Sequence, residues 1–78
     1  MKNVTIYSTP TCGYCKMAKD FFVEKGIQYT EYDVAADLEK RKEMIEKSGQ
    51  MGVPVIFVDD KMTVGFDKEK LSSLLEIA

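Results

Sequence analysis

The two cysteines of this 78-residue chain lie three positions apart, in the segment Cys12-Gly13-Tyr14-Cys15. A chain of this length buries little apolar surface, and folds of this size often need disulfides or a metal for stability. A bridge between cysteines so close in sequence closes a very short loop, which constrains the unfolded chain least. The pair is therefore a poor structural crosslink, and a chemical role explains it better.

The residues around the cysteines predict a strand, a turn and a helix. Val4 to Tyr7 alternates and is rich in β-formers, and Ser8 to Thr11 then offers hydroxyl groups suited to a helix N-terminus. From Cys15 onward, apolar residues recur at helical spacing until Gly26, a natural stop; they are Ala18, Phe21 and Phe22. We therefore expect the helix to begin at the cysteines.

The rest of the chain predicts three more strands and two more helices. Ile27 to Val34 is β-rich and should pair in parallel with the first strand, while Asp37 to Lys47 should form a helix capped by Asp37. Val53 to Val58 reads as a short apolar strand, Met62 to Val64 as an edge strand, and Lys68 to Ile77 as the last helix.

The resulting order, βαβαββα, predicts one α/β domain over residues 1–78, with a four-stranded mixed sheet covered by three helices. The apolar stripes of the last two helices should face this sheet. They comprise Leu38, Met44 and Ile45 in one helix and Leu71, Leu74 and Leu75 in the other.

Charge and composition narrow the function classes. The 13 acidic and 11 basic residues are interleaved, so we expect no nucleic-acid partner. No apolar run has the length of a signal peptide or a membrane span, so we expect a soluble, cytoplasmic protein without a membrane partner. We also expect a monomer. In a reducing cytosol, a C-x-x-C pair is more often redox-active or metal-binding than structural.

Thiol–disulfide exchange needs a thiolate that attacks and a second thiol that resolves the mixed disulfide. At a helix start the Cys12 sulfur would face unpaired backbone N–H groups, whereas Cys15 would lie one turn inside. We therefore assign Cys12 as the nucleophile and Cys15 as the resolving thiol. The helix dipole, worth up to about 2 kcal/mol, is the expected activator. Lys16 and Lys19 are expected to be solvated and secondary.

Other interpretations of the cysteine pair stay open. Free cysteines often pack in a core, although a polar turn is a poor core segment. A zinc site would need carboxylates or a second chain, because one C-x-x-C offers two ligands and the chain has no histidine. We expect no metal ligands of that kind. An iron–sulfur cluster shared by two chains is a further alternative.

Three segments resemble the glutaredoxin family in order and spacing: Ile6 to Cys15, Gly52-Val53-Pro54, and Val64 to Asp67. The resemblance covers essentially the whole chain and implies a thioredoxin fold, with a cis peptide bond at Val53-Pro54 beside the cysteines. It implies an enzyme that reduces protein disulfides and glutathione mixed disulfides and has no tightly bound cofactor. A substrate backbone could pair with that of Val53 like an added strand.

The same resemblance implies that glutathione is the co-substrate and lies across this region. A helix N-terminus near Asp67 would suit the γ-glutamyl carboxylate, and Gln50 could bind the glycyl carboxylate. The positions that match the family's glutathione site are Tyr14, Gln50, Val53, Pro54, Asp67 and Lys68.

The chain departs from the family pattern at three places. Gly13 replaces the common proline after the first cysteine, Thr9 replaces a frequent lysine, and Gly65-Phe66 replaces a Gly-Gly pair. Gly65-Phe66 instead resembles the glutaredoxin-like redoxins that serve ribonucleotide reductase and take electrons from thioredoxin reductase. Phe66 could equally be a core residue beneath the last helix. Glutathione is the expected electron source, and thioredoxin reductase is the alternative.

Overall fold

The computed structural model describes residues 3–76, so Ile77, the expected end of the last helix, lies outside the described residues. The order βαβαββα predicted from the sequence is confirmed. The elements are β1 (Val4–Ser8), α1 (Gly13–Glu24), β2 (Thr30–Asp33), α2 (Leu38–Ser48), β3 (Val55–Val58), β4 (Lys61–Val64) and α3 (Lys68–Leu75).

The four strands form one mixed sheet in the order β2-β1-β3-β4. The pair β1–β2 is parallel, while β1–β3 and β3–β4 are antiparallel. Strands β1, β2 and β4 therefore run in the same direction and end at the same side of the sheet. We call this side the cysteine edge, because the Cys12 segment follows β1 there. All three helices begin at this edge, since each follows one of these strands.

Apolar residues fill both faces of the sheet, as the alternation along β1 requires. On one face, Ile6 packs with α1 and α3 through Phe22 and Leu71. On the other face, Tyr7 packs with Met44 of α2. The predicted core residues Ala18, Phe21 and Phe22 of α1 are all buried. The two clusters fix the helices against the sheet and so fix the positions of the helix starts at the cysteine edge.

Three details of the prediction are wrong. The third strand begins at Val55 and not at Val53. Leu38 does not contribute to the core, because it is the first residue of α2 and is 70% exposed, while the helix packs through its second half. The second strand spans Thr30–Asp33 and is shorter than expected, and Ile27 instead follows the C-terminus of α1. Gly26 has a φ of +69°, and the Ile27 N–H donates to the Phe22 carbonyl at 2.8 Å, which closes the helix C-terminus.

Candidate functional site

The start of α1 is built around Cys12. This residue is the N-cap, with extended backbone angles, and its sulfur accepts a hydrogen bond from the Cys15 N–H at 3.1 Å. The Cys12 N–H donates to the Thr9 carbonyl oxygen at 3.3 Å, which closes the turn before the helix. The helix therefore begins directly after Cys12, as the sequence predicts.

The other two helices are capped in the same way by carboxylates. Asp37 accepts from the Lys40 N–H and Asp67 from the Lys70 N–H, each at 3.1 Å. The Cys12 sulfur thus occupies the position that an aspartate oxygen occupies at the other two helix starts. A negative charge is stabilised there by the free N–H groups and the helix dipole. The local geometry suits a thiolate.

The two thiols have different surroundings. Cys12 is partly exposed, whereas Cys15, one turn inside α1, is fully buried, and both are free. Burial is the main cause that raises the pKa of the Cys15 thiol, to about 12, and its hydrogen bond with Cys12 acts in the same direction. The arrangement presents one sulfur to an incoming disulfide and keeps the other protonated beneath it.

A polar cluster near Cys15 was not expected from the sequence. Lys19 was predicted to be solvated, but it donates to the Glu31 carboxylate at 2.8 Å. The Ser8 hydroxyl donates to the same oxygen at 2.7 Å, and these two hydrogen bonds lower the pKa of Glu31. Lys19 also lowers the pKa of Cys15 through its charge, against the larger effect of burial. Its position four residues after Cys15 was the available signal, but the partner on β2 was not predictable.

The Val53-Pro54 backbone lies at the cysteine edge, and its peptide bond is cis, as the resemblance implies. Tyr7 pairs with Val55 across the β1–β3 ladder. Because β3 runs antiparallel to β1, the residues that precede Val55 lie on the side of the sheet where β1 ends and the Cys12 segment begins. Pro54 is buried, and its carbonyl oxygen accepts from the Gly65 N–H at 2.8 Å.

The remaining site residues predicted from the sequence surround this edge. Tyr14 is the second residue of α1 and is 64% exposed. Asp67 caps α3, and the Lys68 ammonium lies 6.0 Å from the centre of the Phe21 ring. Gln50 does not point freely outward, because its amide is paired with the backbone of Gly52. Gly52 was not singled out as a site residue in its own right.

The sequence profile of the Glutaredoxin family matches residues 4–63. The chain belongs to the glutaredoxin family. Family and fold together support thiol–disulfide oxidoreductase activity, and glutaredoxins generally use glutathione as a substrate and bind no cofactor tightly. Across residues 3–76, no group of three potential metal-ligating side chains converges, and no helix is long and apolar enough to cross a membrane.

Individual relatives agree with this membership. The chain is 44% identical to an uncharacterised glutaredoxin-like 8.6 kDa protein in a rubredoxin operon of Clostridium pasteurianum, with 94% of this chain and 97% of that protein covered. It is 42% identical to glutaredoxin 3 of Escherichia coli K12, with 86% and 81% covered. A crystal structure of a mutant of the thioredoxin-like protein BC3987 superposes with a TM-score of 0.92 at 31% identity, with 100% of both chains covered.

Proposed function

We propose that this chain is a dithiol disulfide reductase in which Cys12 attacks and Cys15 resolves. The observation that carries the proposal is the contrast between the two thiols. Cys12 is partly exposed at the helix N-cap and accepts a backbone N–H at 3.1 Å, whereas Cys15 is fully buried. Only Cys12 can meet a disulfide that approaches from solvent.

The reaction proceeds in two exchanges. The Cys12 thiolate attacks one sulfur of the substrate disulfide, forms a mixed disulfide and releases the other sulfur as a thiolate. Cys15 then attacks the Cys12 sulfur and its proton passes to the departing substrate sulfur, which leaves as a thiol, so that a Cys12–Cys15 disulfide remains. Two glutathione thiols reduce this disulfide in turn and leave as glutathione disulfide.

Substrate docking is assigned to the backbone of Val53. Within residues 3–76, no hydrogen bond engages its N–H or C=O, and the residue is half-buried at the cysteine edge. Unpaired backbone groups of this kind can accept a short extended segment as an added strand. The chain's substrates are then protein disulfides and glutathione mixed disulfides.

Glutathione as reductant is favoured by the charge pattern of the cysteine edge. All three helices begin on this side of the sheet, and glutathione carries two carboxylates. The proposed contacts are with Tyr14, the Val53-Pro54 backbone, and the start of α3 at Asp67 and Lys68. The expected contact of Gln50 with a carboxylate competes with its pairing to Gly52, since one amide cannot serve both.

Thioredoxin reductase is the second candidate electron source. Two observations favour it: Gly65-Phe66 replaces the Gly-Gly pair, and the fold matches a thioredoxin-like protein closely. The test compares the parent chain with Cys12→Ser and Cys15→Ser in two coupled assays. One supplies glutathione with glutathione reductase, and the other supplies thioredoxin reductase.

We expect Cys12→Ser to abolish turnover of every substrate. Cys15→Ser should still turn over a glutathione mixed disulfide, because glutathione itself can resolve the intermediate, but should lose reduction of a peptide's internal disulfide. Full activity of Cys12→Ser would overturn the assignment. If the parent is active with thioredoxin reductase but not with glutathione, the assigned reductant changes from glutathione to thioredoxin reductase.

A further inference from the structure

The loop between α2 and β3 is held by one side chain, that of Gln50. Its amide oxygen accepts from the Gly52 N–H at 2.6 Å, and its amide nitrogen donates to the Gly52 carbonyl oxygen at 3.0 Å. A single amide therefore occupies both backbone hydrogen-bonding groups of Gly52, as a neighbouring strand would.

Gln50 is itself anchored to α2. The hydroxyl of Ser48, in the last turn of the helix, donates to the carbonyl oxygen of the buried Met44 at 2.6 Å and lies 3.0 Å from that of Gln50. The helix ends at Gly49, which takes a left-handed φ of 74°. A continuous path of contacts thus leads from the core to Gly52.

The next residue, Val53, is in the opposite state. No residue in the described part of the chain forms a hydrogen bond with its N–H or C=O. An extended segment that adds to this loop can therefore pair with Val53, whereas the groups of Gly52 are already used. A shift of one residue in strand pairing turns every side chain to the opposite face. Pairing at Gly52 would thus turn a substrate cysteine away from Cys12.

We propose that Gln50 is a positioning residue that sets the register of substrate docking, because by occupying Gly52 it leaves Val53 to pair with the substrate backbone. The inference rests on the proposed function and gives Gln50 no contact with glutathione. Gly52 belongs to the same device. A Cβ at this position would lie 2.8 Å from the Gln50 amide oxygen, so a larger residue displaces the amide.

The test traps a substrate and reads the loop directly. In a Cys15→Ser background, Cys12 is reacted with a cysteine peptide disulfide-bonded to thionitrobenzoate, so that a Cys12–peptide disulfide forms and thionitrobenzoate leaves. Amide hydrogen exchange at positions 52 and 53 is followed by NMR before and after capture. With Gln50 in place, we expect position 52 to be protected in both states and Val53 to gain about tenfold protection on capture.

Gln50→Ala and Gly52→Ala are then added separately. Both should remove the protection at position 52 and most of the protection that Val53 gains on capture. Two different substitutions with the same result would point to the pairing itself. If Val53 gains the same protection in either variant as in the parent background, the proposal is overturned.

Turnover of the intact dithiol chain supplies the second readout. Gln50→Ala should raise KM by about three- to tenfold for a peptide disulfide driven by dithiothreitol and for a glutathione mixed disulfide alike, with kcat changed less than about twofold. Gln28→Ala, at an exposed glutamine before β2, is the matched control and should change neither. A KM increase confined to the glutathione substrate would mean that Gln50 contacts glutathione and would also overturn the proposal.

These outcomes separate the inference from the function on which it rests. If Cys12 captures the peptide but the parent chain turns over neither substrate, the proposed function fails. The exchange measurements at position 52 and Val53 still decide the role of Gln50 in that case, because they need no turnover.

Discussion

At the scale of single residues, the two cysteines differ in access and in the cost of ionisation. Cys12 is partly exposed and accepts a backbone N–H, while burial raises the pKa of Cys15 to about 12. The sequence predicted this asymmetry because a C-x-x-C pair at a helix start places its second cysteine one turn inside. It could not predict the Lys19–Glu31 pair, because that contact depends on the register of α1 against β2.

Alkylation of the single-cysteine variants checks this asymmetry. At neutral pH, the Cys12 thiol of Cys15→Ser should react with iodoacetamide at least about tenfold faster than the Cys15 thiol of Cys12→Ser, because only the thiolate reacts and only Cys12 is accessible. Rates are measured by mass spectrometry, with a urea-unfolded sample of each variant as the control. Equal rates in the folded proteins would contradict the site geometry.

Glu31 gives the fold a dependence on pH. Its pKa is lowered by hydrogen bonds from Lys19 and Ser8, so its stabilising contribution is complete above the unfolded-state pKa of about 4.3 and is lost as the pH falls through the folded-state pKa. Glu31→Gln should therefore be less stable than the parent at pH 7, by about 1 kcal/mol or less because the pair is partly exposed. The difference should shrink towards pH 3.

Urea unfolding of both proteins at pH 7 and pH 3 measures this difference. Glu46→Gln, at an exposed position on α2, is the matched control. A stability difference for Glu31→Gln that is the same at both pH values would mean that the ionised carboxylate contributes nothing.

At the scale of elements, the three helix starts are alike, with Cys12, Asp37 and Asp67 as N-caps. The sequence predicted the cap at Asp37, and it placed Cys12 near a cap, because both follow from local patterns. Element ends were less predictable. Ile27 looked like part of a strand, but it closes the C-terminus of α1 and packs on the core, which no local pattern specifies.

The capping role of Cys12 predicts a separation of stability from activity. Cys12→Asp should unfold at higher urea concentration than Cys12→Ala, with a difference of about 0.5–2 kcal/mol, because aspartate is a strong N-cap and alanine is not. Both variants should be inactive. Asp37→Ala against the parent sets the scale for a carboxylate cap in the same molecule. If Cys12→Ala and Cys12→Asp are equally stable, position 12 does not act as an N-cap; if the parent is no more stable than Cys12→Ala, the Cys12 sulfur does not act as a cap.

At the scale of the whole molecule, strand direction brings the site together. Because β1, β2 and β4 run the same way, one edge collects Cys12, the starts of all three helices and the loop that leads into β3. The element order was predicted from the sequence pattern, and the position of Val53-Pro54 beside the cysteines was implied by the family resemblance, but the strand order β2-β1-β3-β4 was not predicted. The pairing of Gln50 with Gly52 was not predictable, because it depends on the conformation of the six-residue loop between α2 and β3 rather than on periodicity.

Phe66 stands where the family has the second glycine of a Gly-Gly pair. Its side chain has two possible roles, packing in the core and selection of the electron donor, and a variant distinguishes them. It packs against the core cluster of α1 and α3, with its ring centre 5.9 Å from that of Phe21, so its contacts are structural. Phe66→Ala should therefore lower the free energy of unfolding by about 1–3 kcal/mol, as expected for a half-buried phenylalanine. The ratio of glutathione-supported to thioredoxin-reductase-supported turnover should stay the same. Phe66→Leu, which keeps most of the apolar volume, should recover most of the stability. Both turnover rates are measured at a temperature at which each variant is folded. A change of about tenfold in their ratio in Phe66→Ala would instead make Phe66 part of the surface that selects the electron donor.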